Sequence, residues 1–157
     1  MLHPLGVEPR ALFDQPEDAL FVVPCKGGAI DDLIIGNLEH GAVSLHAHAL
    51  AIVGCDSPEM RVALGAARAR IAMREEPLPQ PAAEGVERLV PALLRVLGVA
   101  APGCDEAELV EIAVEECVRE ACDEVLRASP LLAELVRRGK LAVLRLAYAQ
   151  SSGLRRV

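Results

Sequence analysis

The sequence predicts an α/β protein with a small, mainly parallel sheet flanked by helices. Three observations carry that reading. Short apolar runs ending in turn residues alternate with stretches whose apolar residues recur at helical spacing, the pattern of strand–helix–strand units with right-handed crossovers. Aromatic residues make up only 2% of the chain and there is no Trp. The core must therefore be aliphatic, and such cores go with packed helices or a buried parallel sheet. The 157 residues are 52% hydrophobic and 25% charged, with a mean hydropathy of +0.31. That is a folding composition, at a length that suits one domain over residues 1–157.

The elements follow in order. Residues 18–23 (DALFVV) are a short apolar run closed by Pro24 and read as a buried strand. Cys25, Lys26, Gly27 and Gly28 then make a turn, because two glycines permit unusual backbone angles. Asp31 and Asp32 can cap a helix in which Ile34, Leu38, Ala42 and Leu45 repeat at helical spacing. Residues 49–54 are a second strand. Ser57 offers a capping oxygen and Pro58 fits the first helical position, where no N–H is needed, so the next helix begins there and reaches Met73. Pro77, Pro79 and Pro81 mark an extended linker over residues 75–84. Residues 87–97 read as a short helix stopped by Gly98, and Gly103 breaks the chain again. Asp105 and Glu108 form a capping box for a helix that runs to Ala128. Leu109, Ile112, Val114, Cys117, Val118 and Val125 give that helix a broad apolar face. Ser129 and Pro130 open a further helix that Gly139 closes, residues 142–148 are the last strand, and residues 151–153 are a turn.

The charge balance excludes several function classes. The formal net charge is −7 and the isoelectric point about 5.1. A nucleic-acid surface needs a basic stripe with exposed aromatics, and neither is present. The longest basic patch, Arg137, Arg138 and Lys140 around Gly139, lies at a helix end where cations complement the dipole. No stretch reaches the roughly eighteen apolar residues of a membrane span. The opening MLHPLGVEPR lacks the basic-then-apolar profile of a secretory signal, so a cytoplasmic address is expected. Cysteines 25, 55, 104, 117 and 122 form no C-x-x-C pair, and their odd number and wide spacing argue against a disulfide framework.

Taken in order, three stretches resemble the β-class carbonic anhydrases, nearest to their short bacterial members. DALFVVPCKGGAIDDLI is similar to a family strand that ends in Arg-Asn-Ala-Gly-Gly and opens a helix. GNLEHGAVSLHAHALAIVGCDSPEM is similar to the family's helix, strand and Gly-His-x-x-Cys-Gly segment. ECVREACDEVLRASPLLAELVRRGKLAVLRLAYAQSSGL is similar to its final helix pair, strand and Tyr-x-x-x-Thr-Gly hairpin. Together they cover about half the chain. The resemblance implies a β-carbonic-anhydrase-like fold and a dimeric assembly. It also implies a zinc ion held by a Cys in a Cys-x-Asp-x-Arg segment and by the His and Cys of His-x-x-Cys, which acidifies a water for attack on carbon dioxide.

Carried over residue by residue, that chemistry does not survive. The first segment falls on Leu2, Pro4 and Gly6, judged from Val7-Glu8-Pro9 matching Val-x-Pro. None of the three can ligate zinc or form the Asp–Arg pair that gates the metal. The His position holds Cys55 and the second Cys position holds Pro58; Pro24 and Cys25 replace the Arg and Asn of the strand-end segment. The chain is also N-terminally reduced against the family pattern. It starts where the family's first strand should have ended, and lacks the N-terminal helix that embraces the neighbouring subunit. A short strand from its own first residues or a strand from a partner would fill that gap. The expectation is a non-catalytic β-carbonic-anhydrase-like protein without cofactor, serving as a binding or assembly partner in a homodimer or with a related subunit.

Two other readings stand beside it. Cys55, with Cys25 or His3, would build a different zinc or thiol site for carbon dioxide or a similar small electrophile, helped by the helix that begins near Ser57. Alternatively, the vacated pocket binds a small molecule without chemistry. The bland reading of Cys25 and Cys55 is that both are small buried hydrophobes. His46 and His48 have a spacing that suits a metal but sit at the far end of the strand from Cys55, and read as surface or satisfied histidines. His40 is a packing residue, and Asp56 and Glu59 are helix-start carboxylates. Cys104, Cys117 and Cys122 read as loop and helix packing. Lys26-Gly27-Gly28 is too short for a phosphate loop.

Overall fold

Two apolar runs almost ninety residues apart in sequence, ALAIVGC and AVLRLAYA, pair side by side and set the centre of the fold. The computed structural model describes residues 8–25, 30–72, 83–100, 104–149 and 153–157. In chain order these form α1 (Pro9–Phe13), a 3-10 turn (Glu17–Ala19), α2 (Asp32–Val43), β1 (Ala49–Cys55), α3 (Pro58–Ile71), α4 (Ala83–Val99), α5 (Glu106–Ala128), α6 (Pro130–Arg137), β2 (Ala142–Ala149) and β3 (Gly153–Arg156). The sheet order is β1-β2-β3. β1 and β2 run parallel from Ala49 opposite Ala142 to Cys55 opposite Tyr148. β3 returns antiparallel on β2, from Ala149 opposite Gly153 to Leu146 opposite Arg156. The expected small sheet flanked by helices is therefore present, and its longer ladder is the parallel one.

Alternation along the strands separates two faces. Leu50, Ile52 and Val143 turn to one face and meet Val118, Cys122 and Val125 of α5, Leu38 and Ala42 of α2, and Leu132 of α6. Ala51, Val53, Leu144 and Leu146 turn to the other, where Leu12 and Phe13 of α1 and the nearby Val22 cover them. A third cluster, with Leu64, Val90, Leu93, Val110 and Val114, joins α3, α4 and α5. Four helices begin on a side-chain oxygen placed by the sequence. Asp31 accepts from the Ile34 N–H at 2.8 Å, Ser57 from Met60 at 3.2 Å, Asp105 from Glu108 at 2.8 Å and Ser129 from Leu132 at 3.1 Å. Glu108 returns the bond to the Asp105 N–H at 3.1 Å, completing the capping box. The fully buried Ser129 hydroxyl also donates to Glu39 of α2 at 2.5 Å, tying the start of α6 to that helix.

Three expectations need correction. The strand read over residues 18–23 does not form: its start is the 3-10 turn, and residues 20–25 run outside any helix or strand, with no ladder partner among the described residues. A strand exists only where another backbone lies within hydrogen-bonding distance. Gly98 does not stop the helix expected over residues 87–97; α4 begins at Ala83, inside the proposed linker, and ends at Val99. Its buried stripe of Val86, Val90, Leu93 and Val96 carries it past Gly98, and the ring of Pro91 sits on its exposed side. The chain also does not finish on β2, since β3 adds a strand behind Gly153, which adopts φ +72°. The rest of the proline-rich stretch, like Lys26-Gly27-Gly28 and Gly103, lies outside the described residues.

Candidate functional site

In parallel α/β sheets ligands bind beyond the carboxyl ends of the strands, where loops lead into helices. Here that place is the tip of β1. Alternation puts Cys55 on the face shared by Ala51 and Val53. The chain then leaves the sheet through Asp56 and Ser57 and enters α3 with Pro58 in its first turn. Ser57 is engaged as the cap of α3. The Asp56 carboxylate accepts from the Arg61 guanidinium in the first turn of α3. Glu106 of α5 completes the charge arrangement, 3.8 Å from Arg61 and 3.2 Å from Arg68. Glu59 lies in the first turn of α3, on the favourable side of its dipole. Glu59 thus sits at the helix start, as expected, whereas Asp56 precedes the cap and pairs with Arg61.

Cys25, Cys117 and Cys122 are shielded. Cys25 lies outside any helix or strand, and burial, with a smaller contribution from the nearby Asp31 charge, pushes its pKa up to about 11. Cys117 on α5 is pushed up to about 12, by burial first and then by Glu120 and Glu116. Cys122 is buried in the sheet-facing cluster. Reactive cysteines have lowered values, so Cys25 and Cys117 stand on the inert side. The folded protein favours their neutral form. That contribution to stability is complete below about pH 9 and is lost as pH rises through about 11 for Cys25 and about 12 for Cys117. Labelling with iodoacetamide, followed residue by residue by mass spectrometry, is expected to be about ten to a hundred times slower at pH 7.5 for Cys25 than for an unshifted thiol, rising toward pH 11. A Cys25 that labels at the unshifted rate would refute this.

Of the residues singled out in the sequence, Leu2, His3, Pro4 and Gly6 lie outside the described residues. Cys55 and Pro58 are brought to one place, either side of the turn from β1 into α3. Among the described residues no three His, Cys, Asp or Glu gather as donors for one ion. His46 and His48 precede β1, at the opposite end from Cys55, and His46 takes φ +56°. The His40 ring stands edge-on to Phe21, with centroids 6.0 Å apart, which is the packing role expected of it. No described helix is long and apolar enough to cross a membrane.

One feature was not visible in the sequence. A cavity of about 500 Å³ opens along the side of β1 away from β2, between Ala49, Leu50 and Ala51 on one wall and Leu20, Phe21 and Val22 on the other. Leu38 and Leu132 close it from the helical side and Phe13 from the other. The signal that could have found it is DALFVV itself, an apolar run suited to a strand whose neighbour the sequence does not identify.

No protein-family model matches the chain, and no curated protein does. Solved structures match over nearly its whole length. It is similar to the β-carbonic anhydrase CcaA with a TM-score of 0.69 and 19% identity, over 96% of this chain and 73% of that one. It is similar to a variant of the β-carbonic anhydrase CafD of the filamentous fungus Aspergillus fumigatus with a TM-score of 0.66 and 19% identity, over 97% and 82%. It is also similar to a Coccomyxa β-carbonic anhydrase in complex with acetazolamide, with a TM-score of 0.67 and 20% identity, over 99% and 68%. At these identities the likeness establishes the fold: this chain has the α/β architecture of the β-carbonic anhydrases.

Proposed function

We propose that this chain, built on the β-carbonic anhydrase fold, is a non-catalytic protein that acts as a binding or assembly partner, joined to a second copy of itself or to a related subunit. What carries the reading is the identity of the residues at the tip of β1. Aligned on the family's metal segment, Cys55 stands in place of a histidine and Pro58 in place of a cysteine, with Leu2 in place of the remaining cysteine. Zinc in catalytic sites takes three protein donors and leaves a fourth position for water. Of those three positions only Cys55 carries a donor atom, proline and leucine side chains offer none, Asp56 is drawn to Arg61 and Ser57 caps α3. This donor set does not fit zinc.

The scaffold supports a binding role. The four capped helix starts, the three apolar clusters and the parallel ladder keep a stable framework around a tip whose residues do not reproduce the family's three-donor set. A rebuilt thiol site around Cys55 and Cys25 gains no support from the raised Cys25 pKa. Purified chain incubated with zinc and desalted is expected to keep substoichiometric metal and to leave carbon dioxide hydration at the buffer rate in stopped flow. Cys55→Ser is expected to change neither. Stoichiometric zinc with substantial hydration would end the proposal.

A further inference from the structure

We propose that β3 is a detachable edge strand, held down by a relay of ion pairs that runs across α5 to α4, and that rising ionic strength releases it while the rest of the sheet stays folded. The hold of β3 on the body is slight. It is four residues long, pairs with β2 alone among the described strands and has no buried residue. Leu154 turns to the face of Val53 and Leu146, while Arg155 and the following Val157 turn to the face covered by α5. Elements with little buried surface open locally, at less cost than unfolding the whole. β2 keeps its parallel ladder to β1 whether or not β3 is docked.

Arg155 supplies the specific hold. Its guanidinium pairs with Glu115 and stands 3.4 Å from Glu111, both on α5. Glu115 is shared, because Arg119 lies 3.3 Å from it and 3.2 Å from Glu116. Glu116 is shared in turn with Arg95 of α4, 3.9 Å away, and Arg95 also pairs with Glu120. Carboxylates and guanidinia thus alternate without a break from the edge strand, over one face of α5, to α4. An isolated exposed pair contributes little, and it is charges acting as a network that fix a contact. Each arginine here orders a carboxylate that the next one also uses, so a loss at one end is felt at the other. Salt weakens such a relay, since the screening length falls from about 10 Å at 0.1 M to about 3 Å at 1 M. The chain as a whole carries a net charge of −7, and screening its overall repulsion acts the other way, in favour of the compact state. A strand that loosens with salt is therefore distinct from a general change in stability.

The two ladders of β2 carry separate reporters. The Ala142 N–H donates to the His48 carbonyl at 2.8 Å, so Leu144, Leu146 and Tyr148 turn their N–H toward β1. The Val157 N–H donates to the Arg145 carbonyl at 3.0 Å, so Ala147, opposite Arg155, turns its N–H toward β3. Hydrogen exchange of the full chain is read by NMR at the Ala147 and Tyr148 amides, in about 0.1 M and about 1 M sodium chloride. Ala147 is expected to gain about tenfold in exchange rate relative to Tyr148 at the higher salt. Arg155→Gln is expected to reach that ratio already at low salt and to lose the salt response. Arg95→Gln, which does not touch β3, is expected to raise the ratio at low salt by about twofold to threefold, and the double variant to behave like Arg155→Gln alone. Arg138→Gln, whose partner Glu134 lies outside the relay, is expected to match the parent. The proposal is overturned by an Ala147 amide that keeps step with Tyr148 at both salt concentrations, by a ratio that falls with salt, by an Arg155→Gln ratio like the parent's, or by Arg95→Gln exchanging like Arg138→Gln. Should Arg155→Gln fail to fold, which its Tyr148 rate reveals, the salt series on the unaltered chain and Arg95→Gln decide.

Discussion

Gly54→Val is expected to lower the urea midpoint more sharply than any surface substitution, with a loss of about 2–3 kcal/mol or more. Gly54 is the penultimate residue of β1, where the strand passes under α5. A Cβ built there would lie 2.6 Å from Val118 Cγ2 and 3.1 Å from Val114 Cγ1, with the Val114 carbonyl oxygen at 3.5 Å. Both valines are β-branched, buried on the helix and restricted in χ1, so they cannot turn aside. The strain must go into separating β1 from α5, which would also loosen the ladder to β2. Gly65→Ala is the control with the opposite sign. Nothing lies within 4 Å of the added carbon, and the position is on an exposed side of α3. Removing glycine's backbone freedom from a helix is expected to stabilise by about 0.5–1 kcal/mol. If Gly54→Val melts like the parent, the close approach of β1 to α5 described here is wrong.

The contrast between the two glycines also shows what could be read from the sequence. Features decided within a few residues were legible. Asp31, Ser57, Asp105 and Ser129 each precede an apolar helical repeat, and all four oxygens accept the bond expected of a cap. The turn holding Cys55 and Pro58 was legible for the same reason, since strand end and cap adjoin. Features decided by distant backbone were not. DALFVV has the composition of a strand, but a strand needs a neighbour, and beside β1 the described chain offers a cavity instead. GLRR has no strand pattern, yet β3 forms because β2 offers an edge and because Arg155 reaches Glu115 and Glu111 on α5. The short helix α1 is held by Leu12 and Phe13 packing on the sheet, which no local spacing reveals. Nor could spacing show that burial of Val96 and Leu93 outweighs the helix-breaking tendency of Gly98.

Leu93→Ala is expected to cost about 3–4 kcal/mol and to lower the thermal midpoint by about 10 °C in a circular-dichroism melt. Leu93 is fully buried at the junction of α3, α4 and α5, among Leu64, Val90, Val110 and Val114. Truncation removes the transfer energy of its side chain and leaves a cavity whose size depends on how far the neighbours can collapse. They can collapse little. The facing residues of α3 include Ala63 and Ala67, which have no side chain to extend, and the valines are stiff. Met60, the most flexible side chain of the cluster, can fill only part of the gap. Val99→Ala, at a position 83% exposed at the end of the same helix, is expected to change stability by less than about 0.5 kcal/mol. If Leu93→Ala melts like the parent, the close packing of α3, α4 and α5 around this side chain is wrong.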